Sequence, residues 1–218
     1  FQAYTNTYAP IEELRDKYNQ AIAEENVVAL SIATRPDCLG DDVLDLLEEM
    51  SKKVYLWVEL GLQTINDKTA ENFNRGYKFE VFKEGIKKLQ DRGIEVVVHS
   101  IFGLPGETKE DMLRTIDYIA HSGAQGIKFH LLHLMKNTKM AEQYYNGEFE
   151  LLSEEDYIDL ICQGISMIPE EMVVHRLTGD APRATLIGPM WSLKKWEVLN
   201  AIDKALVDRD IWQGKNFK

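Results

Sequence analysis

The feature that most constrains this chain is the spacing at which apolar strand patterns alternate with amphipathic helix patterns. VVALSIA (Val27 to Ala33), VYLWVELGLQ (Val54 to Gln63), IEVVVHSIF (Ile94 to Phe102) and GIKFHLLHL (Gly126 to Leu134) are near-continuous apolar runs. Helical stretches separate them. Ile11, Leu14, Tyr18 and Ile22 share one face of the first, a second covers Asp41 to Met50, a third ends at Gly93, and a fourth runs from Thr108 to Gly123. Gly93 and Gly123 suit the left-handed residue that follows a helix, and they stand about one βα unit apart. Repeating βα units with continuously apolar strands predict a parallel sheet covered by helices, either open or curled into part of a barrel. Thr108 with Asp111 predicts a capping box, and Ser153 with Asp156 a second one before a helix running to about Met167. VVHRLTGDAP then reads as another strand, and a last helix carries Trp196, Leu199, Ile202 and Leu206, expected to pack against the sheet.

The 218 residues can bury a large core. The change of character near residue 150 divides the chain into a core over 1–150 and a C-terminal extension over 151–218. A net charge of −11 speaks against a broad nucleic-acid footprint on this segment. No apolar run approaches the ~20 residues needed to cross a bilayer, and no signal-peptide pattern is present, so a cytoplasmic protein without membrane contact is expected. Cys38 and Cys162 lie too far apart in sequence to form a CxxC metal site, and two cysteines are no disulfide framework. The chain begins FQAYTNTYAP, which is already strand-like. The reading is a piece cut from a longer protein, whose uncapped first strand invites edge-to-edge pairing with a second copy.

In parallel α/β folds ligands bind at the carboxyl ends of the strands. The polar residues there are Thr5 to Thr7, Thr34 to Asp37, Glu59 to Thr64, His99 with GLPGET, and His130 with His133. Glu59, Gly61 and Gln63 share strand parity, so a carboxylate, a bare backbone and an amide are expected on one side. Burying them is costly unless a ligand or the neighbouring strands satisfy them. His99 reads either as a hydrogen-bonded core histidine or as a ligand contact. His130 and His133 are separated by an odd number on a strand, which predicts opposite faces, and they lack zinc spacing; no metal-ligating set is expected. GLPGET could cradle a phosphate at a helix start, but it has neither the lysine of a Walker loop nor the third glycine of a dinucleotide fingerprint.

Taken together, VELGLQT, NRGY, LQDRGIEVVVHSIFGLPGET and TRPD resemble the radical S-adenosylmethionine (radical SAM) enzymes, and most of all the branch that contains the catalytic subunit of Elongator. The ending VVHRLTGDAPRATLIGPMWSLKKWEVLNAIDKAL is similar to the bacterial YhcC/YtqA-like group within it, so the resemblance covers essentially the whole chain. It implies a partial parallel (βα)6-type barrel that here misses its first βα unit and carries a C-terminal helical extension. It places Gln63 and Arg75 near the ribose and carboxylate of S-adenosylmethionine, His99 at the polar end of its strand, and Gly103, Leu104, Pro105 and Gly106 beside the adenine. Tyr4, Thr5, Asn6 and Thr7 match the segment that meets the methionine amino group. Where many relatives carry a glutamate on the third strand this chain has Ala33, which makes Glu59 the candidate for that contact.

The family's CxxxCxxC loop, which ligates a [4Fe–4S] cluster, is absent from the sequence. Two distant cysteines cannot supply three thiolates, so this piece is expected to be inactive alone. In the parent protein the resemblance implies reduction of S-adenosylmethionine by the cluster and hydrogen abstraction by a 5′-deoxyadenosyl radical. It also implies tRNA, at its wobble uridine, as substrate. The alternatives left open are a radical SAM enzyme acting on a small molecule or a protein, and a non-radical phosphate-binding βα-barrel domain.

Overall fold

A computed structural model describes residues 1–2 and 4–218. In chain order the elements are α1 (Ile11–Ala23), β1 (Ala29–Thr34), α2 (Asp41–Ser51), β2 (Tyr55–Gln63), α3 (Asp67–Asn72), α4 (Phe79–Gln90), β3 (Glu95–Phe102), α5 (Lys109–His121), β4 (Gly126–Leu131), β5 (Leu134–Met135), α6 (Lys139–Tyr145), α7 (Glu154–Met167), β6 (Val173–Arg176), β7 (Leu186–Gly188) and α8 (Lys195–Asp208). The main sheet is parallel, with strand order β1-β2-β3-β4-β6. β1 and β2 pair in register from Ala29 opposite Tyr55 to Thr34 opposite Leu60. β5 and β7 form a separate antiparallel ribbon. The predicted α/β architecture is therefore present. Its fifth strand, β6, comes from beyond residue 150.

The chain divides into two compact units, one made of 1–62, 77–99 and 124–126, the other of 63–76, 100–123 and 127–218. In the first unit α2 turns Leu44, Leu47 and Met50 inward, and Val58 and Leu60 of β2 are likewise fully buried. In the second unit an aromatic group forms the centre. The Phe102 ring lies 5.8 Å from Phe129 and 6.2 Å from Tyr157, and the Tyr157 hydroxyl donates to the Leu177 carbonyl at 2.7 Å.

Several sequence expectations are met by specific bonds. The Thr108 hydroxyl accepts the Asp111 N–H at 3.2 Å while the Asp111 carboxylate accepts the Thr108 N–H at 2.9 Å, which is the full capping box. Gly93 and Gly123 end their helices at φ +68° and +75°. Others are corrected. At Ser153 the cap is present, with its hydroxyl accepting the Asp156 N–H at 3.0 Å. The Asp156 carboxylate, however, accepts from the Ser153 hydroxyl and from Lys109 Nζ at 2.6 Å, so its charge is drawn to the lysine. Trp196 does not pack inward. Val198, Ile202 and Ala205 form the stripe that α8 turns toward the core, and Trp196, about 150° around the helix from that stripe, is 77 % exposed. The strand expected over FQAYT includes Ala3, which lies outside the described residues. Phe1 does bond along β1, its amino group donating to the Ser31 carbonyl at 2.8 Å and its carbonyl accepting the Ala33 N–H at 2.9 Å. Past it, Tyr4 turns to φ +61°, which ends any extended run.

Gly164 shows how closely α7 lies on β4. A Cβ there would fall 3.0 Å from Phe129 Cε1, and Phe129 is fully buried. Alanine would gain about 1 kcal/mol in helix propensity and lose about 1–3 kcal/mol to overpacking, so packing should win. Gly164→Ala is expected to lower the melting midpoint by about 2–4 °C in a thermal scan; an unchanged or raised midpoint would show that α7 can shift outward without penalty.

Candidate functional site

In the first unit three side chains form a continuous hydrogen-bonded chain. Glu59 lies in the middle of β2 and is 3 % exposed. Its Oε1 accepts from the Ser31 hydroxyl at 2.8 Å, and its Oε2 is 2.9 Å from His99 Nε2. The register explains the first contact, since Ala33 stands opposite Glu59 and Ser31 is the diagonal neighbour on the same face of β1. Neighbouring strands therefore do satisfy Glu59, one of the two outcomes open from sequence. The imidazole retains 23 % exposure and is the reachable end of an otherwise buried charge. With an ionised Glu59, Nε2 carries the ring proton, and the carboxylate fixes the tautomer and the ring plane.

The N-terminal segment of the same unit is tied to β1. Asn6 donates its backbone N–H at 3.1 Å and its amide at 2.9 Å to the Ala33 carbonyl. Thr7 is buried and donates to the Cys38 carbonyl at 2.8 Å, so the 2.5 Å contact with Thr34 has the Thr34 hydroxyl as donor. Thr5 is half-buried, and Tyr4 is 97 % exposed. Arg35 grips Asp37 in fork fashion, at 2.9 and 2.7 Å, and lies 5.2 Å over the Tyr77 ring, whose hydroxyl donates to the Gly61 carbonyl at 2.8 Å. TRPD and NRGY are separate motifs in the sequence, and the stacking of Arg35 on Tyr77 is set by the fold.

In the second unit, Gln63 ends β2 at φ +63°. A glutamine in this region is strained, and such strain concentrates at functional positions. It also means that strand parity stops at Leu62 and does not fix where Gln63 points. The Arg75 side chain is 2 % exposed; Nη1 donates to the Thr64 carbonyl at 2.5 Å and Nη2 pairs with Asp67 at 3.0 Å. It clamps the turn that follows Gln63. The buried Thr64 hydroxyl donates to Glu107, whose carboxyl is pushed above the usual range chiefly by burial.

The GLPGET turn separates its two glycines by role. Gly103, at φ +87°, is where a Cβ would meet Leu152 at 3.1 Å, whereas at Gly106, φ +86°, a Cβ would meet nothing within 4 Å. Leu104 is buried, Pro105 half-buried and Gly106 exposed. The open approach is therefore at Gly106.

His130 and His133 also depart from expectation. β4 stops at Leu131, so parity does not carry to His133. Both rings flank Gly179, where a Cβ would lie 3.4 Å from His133 Cε1 and 3.8 Å from His130 Nδ1. Among the described residues no three His, Cys, Asp or Glu side chains converge as a metal site. Cys38 and Cys162 are free thiols held protonated by burial, so the residues present do not fit an iron–sulfur cluster. No helix is long and apolar enough to cross a membrane.

Ser31 is the candidate-site residue absent from the sequence expectations, although a hydroxyl inside an otherwise apolar run is a signal; Tyr77 and Glu107 lie within NRGY and GLPGET, but their partners Gly61 and Thr64 are set by the fold.

Comparison with known proteins adds the following. The radical SAM superfamily model matches residues 1–119, and the radical SAM C-terminal domain model matches 124–208. The chain is 52 % identical over 218 residues to YtqA of Bacillus subtilis, covering all of this chain and 68 % of that protein. It is 29 % identical over 178 residues to a tRNA uridine(34) acetyltransferase of Methanocaldococcus jannaschii, covering 80 % of this chain and 32 % of that one. The solved structure of Methanocaldococcus infernus Elp3 with an N-terminal deletion superposes with a TM-score of 0.80 at 21 % identity, over 97 % of this chain and 54 % of that chain. This last likeness speaks for the fold. The chain thus spans about half the length of that solved relative.

Two outcomes test the local geometry. Glu59→Ala removes the carboxylate that joins the Ser31 hydroxyl to the His99 ring and should cost about 1–3 kcal/mol in urea unfolding, while Glu59→Gln, which keeps an acceptor oxygen, should cost less; equal stability of all three proteins would contradict the bonded chain. Glu107 binds its proton more tightly folded than unfolded, so its contribution is fully present below the ordinary carboxyl value and is lost as pH rises through the raised one. Glu107→Gln, which cannot ionise, should therefore gain stability relative to the parent as urea titrations move from pH 5 to pH 7.5, and a parallel pH dependence would show that the carboxylate is not desolvated.

Proposed function

The chain belongs to the radical SAM superfamily, and from that premise we propose that it is the cofactor-holding portion of a [4Fe–4S], S-adenosylmethionine-dependent enzyme whose whole form modifies the wobble uridine of tRNA. The observation that carries the reading is the Ser31–Glu59–His99 chain, a buried carboxylate presenting an accessible imidazole from parallel strands. In this reading His99 of the first unit meets the ribose of S-adenosylmethionine, and Glu59 and residues Tyr4 to Thr7 of the same unit serve its amino-acid end; the family resemblance assigns Gln63 to the ribose and Gly106 to the adenine. Arg75 acts as a positioning residue, since its guanidinium holds the Thr64 carbonyl next to Gln63. Cys38 and Cys162 cannot supply the three thiolates of the cluster, so in this reading other residues of the whole enzyme hold it. Bound together, the two cofactors supply the one-electron chemistry; the residues described here bind, orient and exclude water.

The uridine assignment draws on the similarity to the tRNA uridine(34) acetyltransferase of Methanocaldococcus jannaschii. The acidic balance of −11 favours a second reading, a radical SAM enzyme for a small molecule or protein. Nucleoside analysis of tRNA from cells lacking the full-length gene separates them: loss of a modified wobble uridine, restored by the wild-type gene and not by His99→Ala, is expected. Unaltered tRNA nucleosides alongside intact S-adenosylmethionine cleavage would favour the second reading. Gln63→Ala in the full-length enzyme should weaken S-adenosylmethionine binding about tenfold by calorimetry, the equivalent of one good hydrogen bond, and unchanged affinity would remove Gln63 from the site.

A further inference from the structure

A cleft in the second unit is not used by this reading. Its volume is about 300 Å³, and it is lined from the C-terminal end of α3, the β4–β5 link and α6. That size is at the small end of ligand pockets, enough for a single ring system with a substituent. Phe73 contributes an aromatic ring, half-buried, and His133 a ring whose Nε2 is buried without a hydrogen-bond partner among the described residues. Asn72, Asn74 and Gln143 bring three carboxamides to the same walls. Lys139 is the only charged residue in the lining, and it is exposed.

These side chains narrow the ligand by chemistry. Each carboxamide offers one donor group and one acceptor, and a neutral imidazole offers one of each. Burial pushes the His133 pKa down, with Asp180 opposing more weakly, so the ring is neutral at pH 7. An amino acid is disfavoured, because its ammonium would find no carboxylate in the walls. A polyphosphate is disfavoured, because one lysine is too little charge. A neutral planar heterocycle with donors and acceptors around its edge and a single anionic substituent matches every wall.

We propose that this cleft binds a single nucleotide unit, its base stacked on Phe73 and read at its edge by His133 and Gln143, its phosphate directed to Lys139. Aromatic stacking with amide and imidazole readout of an unpaired base is the general way proteins take up single-stranded RNA. The same groups would serve a free nucleotide. The inference goes beyond the cofactor reading, since this cleft needs neither S-adenosylmethionine nor a cluster to bind.

The test is equilibrium binding by the full chain in the absence of both cofactors, with two kinds of probe: the four ribonucleoside monophosphates, followed by calorimetry, and a fluorescently labelled single-stranded RNA, followed by anisotropy. Saturable binding is expected for at least one probe. Binding of the RNA alone identifies a strand as the source, and comparable binding of a monophosphate identifies the free nucleotide. His133→Phe and Gln143→Leu should each weaken binding about 3- to 10-fold, the range for one lost hydrogen bond. Lys139→Ala should weaken it and flatten its salt dependence. Gln143 and Lys139 lie on a short outer helix, so these variants remain informative if His133→Phe unfolds, which circular dichroism will show. Absence of binding by every probe, or affinity unchanged in folded Gln143→Leu and Lys139→Ala, overturns the proposal. It stands or falls apart from the tRNA reading, because neither outcome depends on catalysis.

Discussion

A carboxylate with almost no exposure in the middle of a parallel strand is the constraint on which the first unit depends. β2 is buried on both faces at Val58, Glu59 and Leu60, as strands of helix-covered parallel sheets are. A charge there is tolerated only when its oxygens are bonded. Ser31 from β1 and His99 from β3 meet that demand from the two adjacent strands. The polar chain therefore does two jobs at once: it ties three strands together through side chains, and it leaves one imidazole where solvent or a ligand can reach it. A leucine at 59 would serve the sheet as well, so the cost of a buried carboxylate points to chemistry rather than to folding.

The elements were legible in the sequence where local physics decides them. Thr108 and Asp111 cap because a hydroxyl and a carboxylate three residues apart satisfy two otherwise unpaired N–H groups, and Gly93 and Gly123 end helices because the following turn needs positive φ. The alternation of long apolar runs gave the parallel sheet for the same reason. What was not legible depends on three dimensions. Trp196 looked like core because helical periodicity fixes a stripe but not which side of it the rest of the protein occupies. His130 and His133 seemed to face apart because parity presumes a strand, and β4 ends before His133. For Arg75 the resemblance implies a place near the cofactor; only the fold reveals that Thr64 and Asp67 hold its guanidinium.

The site shows the same limits. Glu59 and His99 could each be picked out as polar residues in apolar runs, yet their pairing across adjacent strands needed the strand order. Gln63 was singled out for its side chain, whereas its backbone, at φ +63°, is the more telling feature. Family resemblance supplied what neither periodicity nor spacing could, the cofactors that radical SAM enzymes use as a class. It could not supply the second unit's cleft, since Phe73, His133 and Gln143 come from segments that no motif links.

The contact between Gly103 and Leu152 has a consequence for how sequences of this kind vary. Leu152 occupies the space where a side chain at 103 would stand, so the two positions share one volume and are energetically coupled. Loss of the leucine would free the space but not the torsion, because φ at 103 is +87°. Co-variation between them is thus one-sided: a change at 152 leaves the torsion at 103 as it is, whereas a side chain at 103 meets both the leucine and a strained torsion. An alignment would show this as a fixed column beside a drifting one, although the two residues touch.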